Sequence, residues 1–315
     1  MLKSYIDRVK DFWGSPACNW RSGQIIHWLQ HPRVQERIRF LVGGDIDKDR
    51  FRYFIDTYLA DRLPLERALT LGCGLGELER GLVKYNFALH HVGLDLSESS
   101  VEEATRLASE AGLQNLIYRT ADFNSIQLPH DTYDVVLGPM TIHHIEALEH
   151  LFQQVSQSLK ANGYFFMDEY VGPNQFQWPD EQIALVNEQL AALPRRFKMR
   201  VTDSRYPKDP VRRPTLDEMN TLDPSEAIRS SEIVPLLSKY FDVAEVTGYG
   251  GTLLHLLLED IAENFGEDKE SQTCLESLFA VEDRLIASGR LTHDFAIIVA
   301  RKRTLNSLPL AEEIP

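Results

Sequence analysis

A glycine-rich loop stands between an apolar run and a helical pattern. The segment reads ALTLGCGLGELE from Ala68 to Glu79, with glycines at 72, 74 and 76. Alternate glycines let a ligand approach the backbone closely. A dinucleotide loop would need a glycine where Glu77 stands, and that carboxylate would face a pyrophosphate. A phosphate-binding P-loop would need a Lys-Ser/Thr pair, which does not follow. The pattern therefore predicts a ligand without a pyrophosphate, such as a zwitterion with an amino-acid end.

Two aspartates come next along the chain, each close behind an apolar run. Asp95 follows the run Val92–Leu94, where it can accept hydrogen bonds from both hydroxyls of a ribose. Asp122, in the sequence TADF after Leu116–Tyr118, can accept from the exocyclic amine of adenine, with Phe123 against the ring. The alternative for Asp122 is that it caps the turn that follows it.

These residues need a scaffold that brings their loops to one edge. Between residues 64 and 170, short apolar runs alternate with helical patterns, which is typical of a parallel sheet with helices on both faces. The runs are Ala68–Leu71, Val92–Leu94, Leu116–Tyr118, Val135–Leu137 and Tyr164–Met167. Two later runs are Asp242–Val246 and Phe295–Ala300. The predicted fold class is α/β, a Rossmann-like doubly wound, mostly parallel sheet of seven strands.

Local signals predict where helices begin and end. Ser99 with Glu102 forms a capping-box pattern, and Gly112 can end the helix that follows. The next helix has apolar residues at helical spacing from Leu148 to Leu159 and is predicted to stop at Asn162-Gly163. Two further helices are predicted, Thr252–Asn264 and Thr273–Ala287.

Composition divides the chain into five regions. The predicted regions are an N-terminal helical cap (1–63), the core of the sheet (64–170), a proline-rich inserted substrate lid (171–235), a segment that completes the core (236–305) and a tail (306–315). Within the cap, Pro32 and Gly43-Gly44 are expected to interrupt short amphipathic helices.

The predicted lid carries a dense run of positive charge. From Arg195 to Arg213 there are eight Lys or Arg residues against two Asp, a net charge of +6 in a chain whose overall charge is −14. One interpretation is a solvated basic face. The other is an anion-binding lid in which Arg212 and Arg213 clamp a carboxylate or phosphate, a geometry that suits the guanidinium fork. Tyr170 and Asn174 are predicted to line the opening of this lid.

Charge and composition exclude several classes of function. The chain has 315 residues, with 33 Lys and Arg against 47 Asp and Glu, and an acidic surface repels nucleic acid and anionic membranes. Its three cysteines lie far apart without a CxxC pair, which argues against disulfides and a zinc site. The N-terminus lacks the apolar stretch of a signal peptide, and the most apolar run, Leu253–Leu258, is too short to span a bilayer. We expect a cytoplasmic monomer or homodimer that acts on a small molecule and uses no metal.

Four segments together resemble the motifs of class I S-adenosylmethionine-dependent methyltransferases. They are LGCGLG from Leu71, GLDLS from Gly93, TADF from Thr120 and YDVVLGPMTIHHI from Tyr133. The resemblance covers about residues 64–170 and resumes weakly over 236–302. It implies S-adenosylmethionine as the cofactor, with the glycine loop at the methionine moiety, Asp95 at the ribose and Asp122 at the adenine. The cofactor-binding residues implied in this way are Gly72, Cys73, Gly74, Gly76, Asp95, Leu96, Asp122, Phe123 and Gly138.

Departures from other branches of this family narrow the reaction. Enzymes that methylate amino groups of nucleic acids or proteins often carry Asn/Asp-Pro-Pro-aromatic after the fourth strand, where this chain reads GPMT from Gly138. Cytosine C5 enzymes need a Pro-Cys nucleophile, but none of the three cysteines of this chain follows a proline. Metal-dependent catechol-type enzymes need clustered Asp or Asn ligands, and Gly138-Pro139 supplies none. O-methylation of a polar small molecule remains, for example a neutral or anionic sugar derivative or secondary metabolite. Two alternatives stay open: N-methylation of a small amine, and a catalytically silent scaffold that binds S-adenosylmethionine.

A hydroxyl acceptor must lose its proton, so the site needs a base that titrates near neutrality. His143 is the first candidate and His144 the second, because both follow the fourth strand, beside the expected methyl position. Glu169, next to Asp168 at the end of the fifth strand, is the competing candidate. The alternatives are that both histidines only pack or bond the loop, and that Glu169 only binds substrate hydroxyls.

Overall fold

The computed structural model describes residues 25–303, so the predictions for the first 24 residues and for the tail lie outside the described residues. The described strands are β1 (Leu65–Leu71), β2 (Ala88–Asp95), β3 (Leu116–Thr120), β4 (Tyr133–Pro139), β5 (Leu159–Tyr170), β6 (Phe241–Gly250) and β7 (Phe295–Lys302). Each contains one of the predicted apolar runs.

Helices connect and flank these strands. The described α-helices are α1 (Pro32–Gly43), α2 (Arg50–Phe54), α3 (Glu77–Leu82), α4 (Glu98–Glu110), α5 (Leu148–Ser158), α6 (Asp180–Ala192), α7 (Arg195–Lys198), α8 (Leu216–Leu222), α9 (Ile233–Leu237), α10 (Leu254–Leu258) and α11 (Lys269–Ala287). A single 3₁₀ turn, Ile142–His144, follows β4. No helix within residues 25–303 is long and apolar enough to cross a membrane.

The strands form one sheet in the order β3-β2-β1-β4-β5-β7-β6. β1 pairs in parallel with β2 and β4, β2 pairs in parallel with β3, and β4 pairs in parallel with β5. The chain therefore winds outward from β1 in one direction and from β4 in the other. In such sheets ligands bind outside the carboxyl ends of the strands where the direction reverses. The predicted doubly wound fold is confirmed, and the point of reversal lies between β1 and β4.

The start of α4 differs from its prediction by two residues. Ser97 is the N-cap rather than Ser99, because its Oγ accepts the N–H of Ser100 at 3.3 Å. The backbone N–H of Ser97 is in turn held by Asp95 at 2.9 Å, which fixes the point where the chain leaves β2. The predicted end is confirmed, since Gly112 adopts a φ of 71° just after the helix.

Three other local predictions need correction. α5 ends at Ser158, and Asn162-Gly163 lie inside β5 instead of stopping the helix. Pro32 begins α1 rather than interrupting a helix, because a proline lacks only an N–H that would be unpaired in the first turn. The helix predicted over Thr252–Asn264 is two separate pieces, α10 and the 3₁₀ turn Ala262–Asn264.

Contacts between residues divide the chain into two compact units. The cap unit comprises the described residues up to Tyr58 together with 170–231 and 247–297, and the core unit comprises 59–169, 232–246 and the described residues from Ile298. The described part of the predicted helical cap up to Tyr58 and residues 171–231 of the predicted lid therefore fall in the same unit, whereas 59–63 and 232–235 belong to the core unit. Their functional division stays a prediction.

Each unit has an apolar interior of its own. In the core unit, Leu69, Val136 and Phe165 are completely buried on adjacent parallel strands, as expected for a sheet covered on both faces. In the cap unit, Trp28 and Tyr249 are buried to the same degree, and their rings stack with centroids 6.4 Å apart.

Candidate active site

The glycine loop after β1 is shaped by three glycines in left-handed conformations. Gly72, Gly74 and Gly76 have φ values of 71°, 50° and 72°. A Cβ on Gly72 would collide with the side chain of Thr141, so the backbone of the glycine loop lies close to the loop that follows β4. A Cβ on Gly74 would meet nothing within 4 Å. The backbone at Gly74 therefore faces open space, which leaves room for a ligand. We call the loop from Gly72 to Gly76 the cradle.

Asp95 and the glycine loop are joined directly. The Gly74 N–H donates to Asp95 Oδ2 at 2.8 Å, and the Ser97 N–H donates to Oδ1 at 2.9 Å. Partial burial raises the pKa of Asp95, while these N–H groups oppose that effect. The carboxylate is therefore fixed beside the glycine loop, and its contact with ribose hydroxyls stays a prediction.

Asp122 follows β3, and the Ala121 N–H donates to the carbonyl of Asp95 at 2.8 Å, which places the two aspartates on neighbouring strand ends. The Asp122 carboxylate accepts from the N–H of Asn124 at 2.9 Å and from the Ser125 hydroxyl at 3.3 Å. These contacts are those expected if Asp122 caps the turn that follows it. The adenine role of Asp122, with buried Phe123 beside it, stays a prediction.

Glu169 is fully buried and contacts the histidine loop at three points. Its Oε1 accepts the backbone N–H groups of Thr141 and Ile142, both at 2.6 Å. Its Oε2 lies 2.6 Å from Nδ1 of His143, which is itself buried. The two competing base candidates therefore form a single hydrogen-bonded pair.

Burial dominates the electrostatics of this pair. Loss of water raises the pKa of Glu169 to about 8, and the neighbouring Asp168 adds to the rise while the N–H donors reduce it. The His144 ring packs against the His143 ring, with centroids 4.1 Å apart. A buried carboxylate bonded to one nitrogen of an imidazole is an arrangement that can serve general-base chemistry.

The turn before the histidines is tightly built. Met140 adopts a φ of 48°, and its N–H donates to the carbonyl of Asp168 at 2.7 Å. A Cβ on Gly138 would press against the side chain of Ile142 at 2.9 Å. Gly138 therefore serves close packing of the β4 loop, and its predicted contact with the cofactor stays a prediction.

The four predicted substrate residues all belong to the cap unit. Tyr170 is buried and donates from its hydroxyl to the carbonyl of Pro173 at 3.1 Å. Asn174 Oδ1 accepts from both the N–H and the hydroxyl of Ser231 at 2.9 Å. Both side chains are thus used in contacts within their own unit, and their substrate roles stay predictions.

The two predicted clamp arginines are paired with carboxylates. Arg212 makes a two-point contact with Glu218 at 2.6 and 2.7 Å. Arg213 contacts Asp180 at 2.5 Å and also donates to the carbonyl of Trp178 at 2.8 Å. Because both arginines already bind carboxylates of the protein itself, these contacts argue against their predicted role as a clamp for an anion.

Sequence reasoning missed what Tyr118 and Glu79 do beneath the loop. The Tyr118 ring occupies the space that side chains at Gly76 and Gly93 would need. Glu79 is buried on α3, and burial raises its pKa to about 7. Nothing in the sequence signals that Glu79 is buried, because a glutamate in a helix is expected to face solvent.

Residues 64–217 match the family model described as a methyltransferase domain. This chain contains a class I S-adenosylmethionine-dependent methyltransferase domain. Among curated relatives, the sterol 24-C-methyltransferase erg6 of Aspergillus fumigatus is 30% identical over 118 residues, which cover 36% of this chain and 31% of that protein. The match thus spans about a third of that relative's length.

Two solved structures have the same fold. The phosphoethanolamine N-methyltransferase 2 of Haemonchus contortus, in complex with S-adenosyl-L-methionine, has a TM-score of 0.53 and 17% identity, and the match covers 96% of this chain and 61% of that one. The geranyl diphosphate C-methyltransferase of Streptomyces coelicolor has a TM-score of 0.52 and 12% identity, covering 96% and 100%.

S-adenosylmethionine is the cofactor of this methyltransferase domain. The residues present fit it, because the open backbone at Gly74 leaves room for the methionine moiety and Asp95 offers a fixed carboxylate for the ribose. Cys73 is buried, and its N–H donates to the carbonyl of Leu94 at 2.9 Å, which ties the cradle to β2. Leu96 lies next to Asp95 and is half-buried.

Proposed function

We propose that this chain transfers a methyl group from S-adenosylmethionine to an oxygen atom of a hydroxylated small molecule, with His143 as the base and Glu169 as its positioning residue. The observation that carries the proposal is the 2.6 Å contact between Glu169 Oε2 and His143 Nδ1. A buried carboxylate on one ring nitrogen orients the imidazole and selects its tautomer.

The pair determines where the proton goes. When Glu169 is ionised, the Nδ1–H of His143 donates to it, so the lone pair of the ring is on Nε2. S-adenosylmethionine, when bound, supplies an electrophilic methyl group on a sulfonium sulfur. Nε2 takes the proton of the acceptor hydroxyl, which prepares the oxygen to accept the methyl group that the cofactor would supply. Glu169 then stabilises the imidazolium that results.

Positioning supplies the rest of the rate enhancement. Methyl transfer is an in-line displacement, and holding both reactants in contact is worth about 7–11 kcal/mol. Glu169 contributes here too, because its bonds to the N–H groups of Thr141 and Ile142 hold the loop that carries His143. The acceptor expected is a polar molecule such as a sugar derivative or a secondary metabolite.

The test is a methylation screen with S-adenosylmethionine and panels of hydroxylated, amine and alkene acceptors, followed by mass spectrometry. We expect turnover on hydroxyl acceptors. In the His143→Ala variant kcat should fall about 10²–10⁴-fold while cofactor affinity stays unchanged. The control is His130→Ala, which removes an exposed histidine from a loop away from β4's carboxyl end. Full activity of His143→Ala on a hydroxyl acceptor would contradict the proposal.

C-methylation is a second candidate, favoured by the 30% identity to a protein named for that reaction. Methylation of an alkene carbon leaves a cation that must lose a proton, and the same base could remove it. The screen separates the reactions, because the new methyl group is bonded to carbon in one product and to oxygen in the other. Product only from amines would indicate N-methylation, and cofactor binding without any turnover would indicate a silent scaffold.

A further inference from the structure

A cavity of about 410 Å³ lies in the cap unit, and none of its lining residues is assigned above to the cofactor or the base. Its walls come from the end of α6, from α7 and from residues 207–210. Leu190, Ala191, Pro207 and Pro210 give it apolar sides. The volume is in the range of small-molecule sites. We call this cavity the α6–α7 pocket.

The charge around this pocket has one sign. Arg195, Lys198 and Lys208 are among its lining residues, and no lining residue is acidic. The lining residues other than these three cations are Asn187, Leu190, Ala191, Pro207 and Pro210. Lys208 interacts electrostatically with Glu259 and Asp260, so the positive charge that favours an anion here is that of Arg195 and Lys198.

Most of the basic run is neutralised elsewhere. The paired residues are Arg196 with Asp268 and Glu270, Arg200 with Asp260, Arg205 with Asp203, Arg212 with Glu218, and Arg213 with Asp180. Within residues 25–303, Arg195 and Lys198 have no carboxylate within ion-pair distance; Lys198 Nζ donates to the carbonyl of Ala191 at 2.7 Å. The cations of the run that lack a nearby carboxylate, Arg195 and Lys198, therefore both line the pocket.

The walls are held in place by hydrogen bonds. Lys208 Nζ donates to the carbonyls of Leu256 and Leu257 in α10 and of Glu259 just after it, the first at 2.7 Å, so its charge forms part of a fixed wall. The Lys208 N–H also donates to the carbonyl of Lys198 at 2.7 Å. The Asn187 side chain bonds both backbone groups of Val211, at 2.7 and 2.8 Å. A site already in shape loses less entropy when a ligand binds.

We propose that the α6–α7 pocket binds a small anion with an apolar body, whose carboxylate or phosphate contacts Arg195 and Lys198 while its hydrocarbon part lies against Leu190 and the prolines. The proposal does not depend on the proposed methyl transfer, because none of these residues takes part in it. It assigns the positive charge of the run to a ligand site other than the predicted Arg212 and Arg213 clamp.

The test is calorimetric titration of the full chain with octanoate, octyl phosphate and octanol. Either anion or both should bind more tightly than the neutral alcohol, and added salt should weaken the binding. Comparison of the two anions distinguishes a carboxylate ligand from a phosphate ligand. The double variant Arg195→Gln/Lys198→Gln should weaken anion binding by about tenfold or more, the scale of one charge-assisted hydrogen bond.

A matched control is Arg196→Gln/Arg205→Gln, which removes the same charge from the same run at residues outside the pocket lining. It should leave anion binding unchanged. The exchange Arg195→Lys/Lys198→Arg keeps both charges and should retain binding. No binding of either anion, equal binding of octanol, or equal losses in both Gln double variants would overturn the proposal. Cofactor binding is measured in parallel, so a misfolded variant or a failure of the proposed function is recognised separately.

Discussion

The Oε2 atom of Glu169 lies 2.6 Å from Nδ1 of His143, although 26 positions separate the two residues in the chain. The pairing of β4 with β5, in register from Val135 with Tyr164 to Pro139 with Asp168, brings them together. The other oxygen of the carboxylate holds the N–H groups of the loop that follows β4. One side chain thus positions both the imidazole and its loop.

Replacing Glu169 with Gln should separate orientation from packing. The amide oxygen can still accept the loop N–H groups, but the amide nitrogen would donate to Nδ1 and leave the proton of His143 on Nε2. We expect kcat to fall about 10²–10⁴-fold with little change in the KM for the acceptor, because the base is in the wrong tautomer. The measurement is steady-state kinetics, with Glu110→Gln, at an exposed position at the end of α4, as the control. An unchanged kcat would exclude Glu169 as the positioning residue.

The rate should depend on pH through the same pair. Burial raises the pKa of Glu169 to about 8. Below that pH the protonated carboxyl donates to Nδ1, so the ring proton is on Nε2 and the base is blocked; above it, Nε2 carries the lone pair. We therefore expect kcat to increase with pH through about 8 and then to level off. A profile without this increase, measured where chemistry limits the rate, would contradict the assignment.

Gly74 offers a test of the cofactor cradle that is separate from folding. In Gly74→Ala the new Cβ enters open space, so the cost to folding is that of a left-handed alanine, about 1–2 kcal/mol, while the methyl group fills the cradle and should abolish binding of S-adenosylmethionine. Gly112→Ala is the matched control, since Gly112 has a φ of 71° and equally open surroundings outside the site. Thermal unfolding and calorimetry should give similar stability losses but opposite binding results.

Gly72→Ala should behave differently. Its Cβ would collide with Thr141 as well as adopt a left-handed φ, so we expect a larger loss of stability than at Gly74. If thermal unfolding shows the two alanine variants to be equally stable, the close approach of the glycine loop to the β4 loop is not rigid.

Asp95 should contribute to cofactor affinity through its fixed carboxylate. Asp95→Ala is expected to weaken binding of S-adenosylmethionine by about 1–3 kcal/mol, through loss of charge-assisted hydrogen bonds and of the anchor for the Gly74 N–H. Calorimetry measures the change, with Asp131→Ala at an exposed turn as the control. Binding of NAD in place of S-adenosylmethionine would refute the cofactor assignment.

Local patterns determined the elements and the cofactor loop. The apolar runs predicted seven strands because a buried parallel strand needs apolar side chains on both faces. The glycine loop could be recognised from the sequence because glycine, which has no Cβ, readily adopts the left-handed φ values that the loop has. The predicted helix boundaries were less accurate, as at Ser97 and Pro32. At Ser97 the start of the helix depends on a contact that spacing does not reveal, because Asp95, two residues earlier, holds the Ser97 N–H.

Only the tertiary structure decided how the candidate residues act. The sequence presented His143 and Glu169 as rival bases, and the register of β4 against β5 made them one pair. The basic run had a known net charge, but carboxylates distant in the chain, such as Asp260 and Asp268, determine which of its cations are neutralised. Hydrogen bonds and ion pairs act over a few ångströms, and residues far apart in the sequence reach that distance only when the chain is folded.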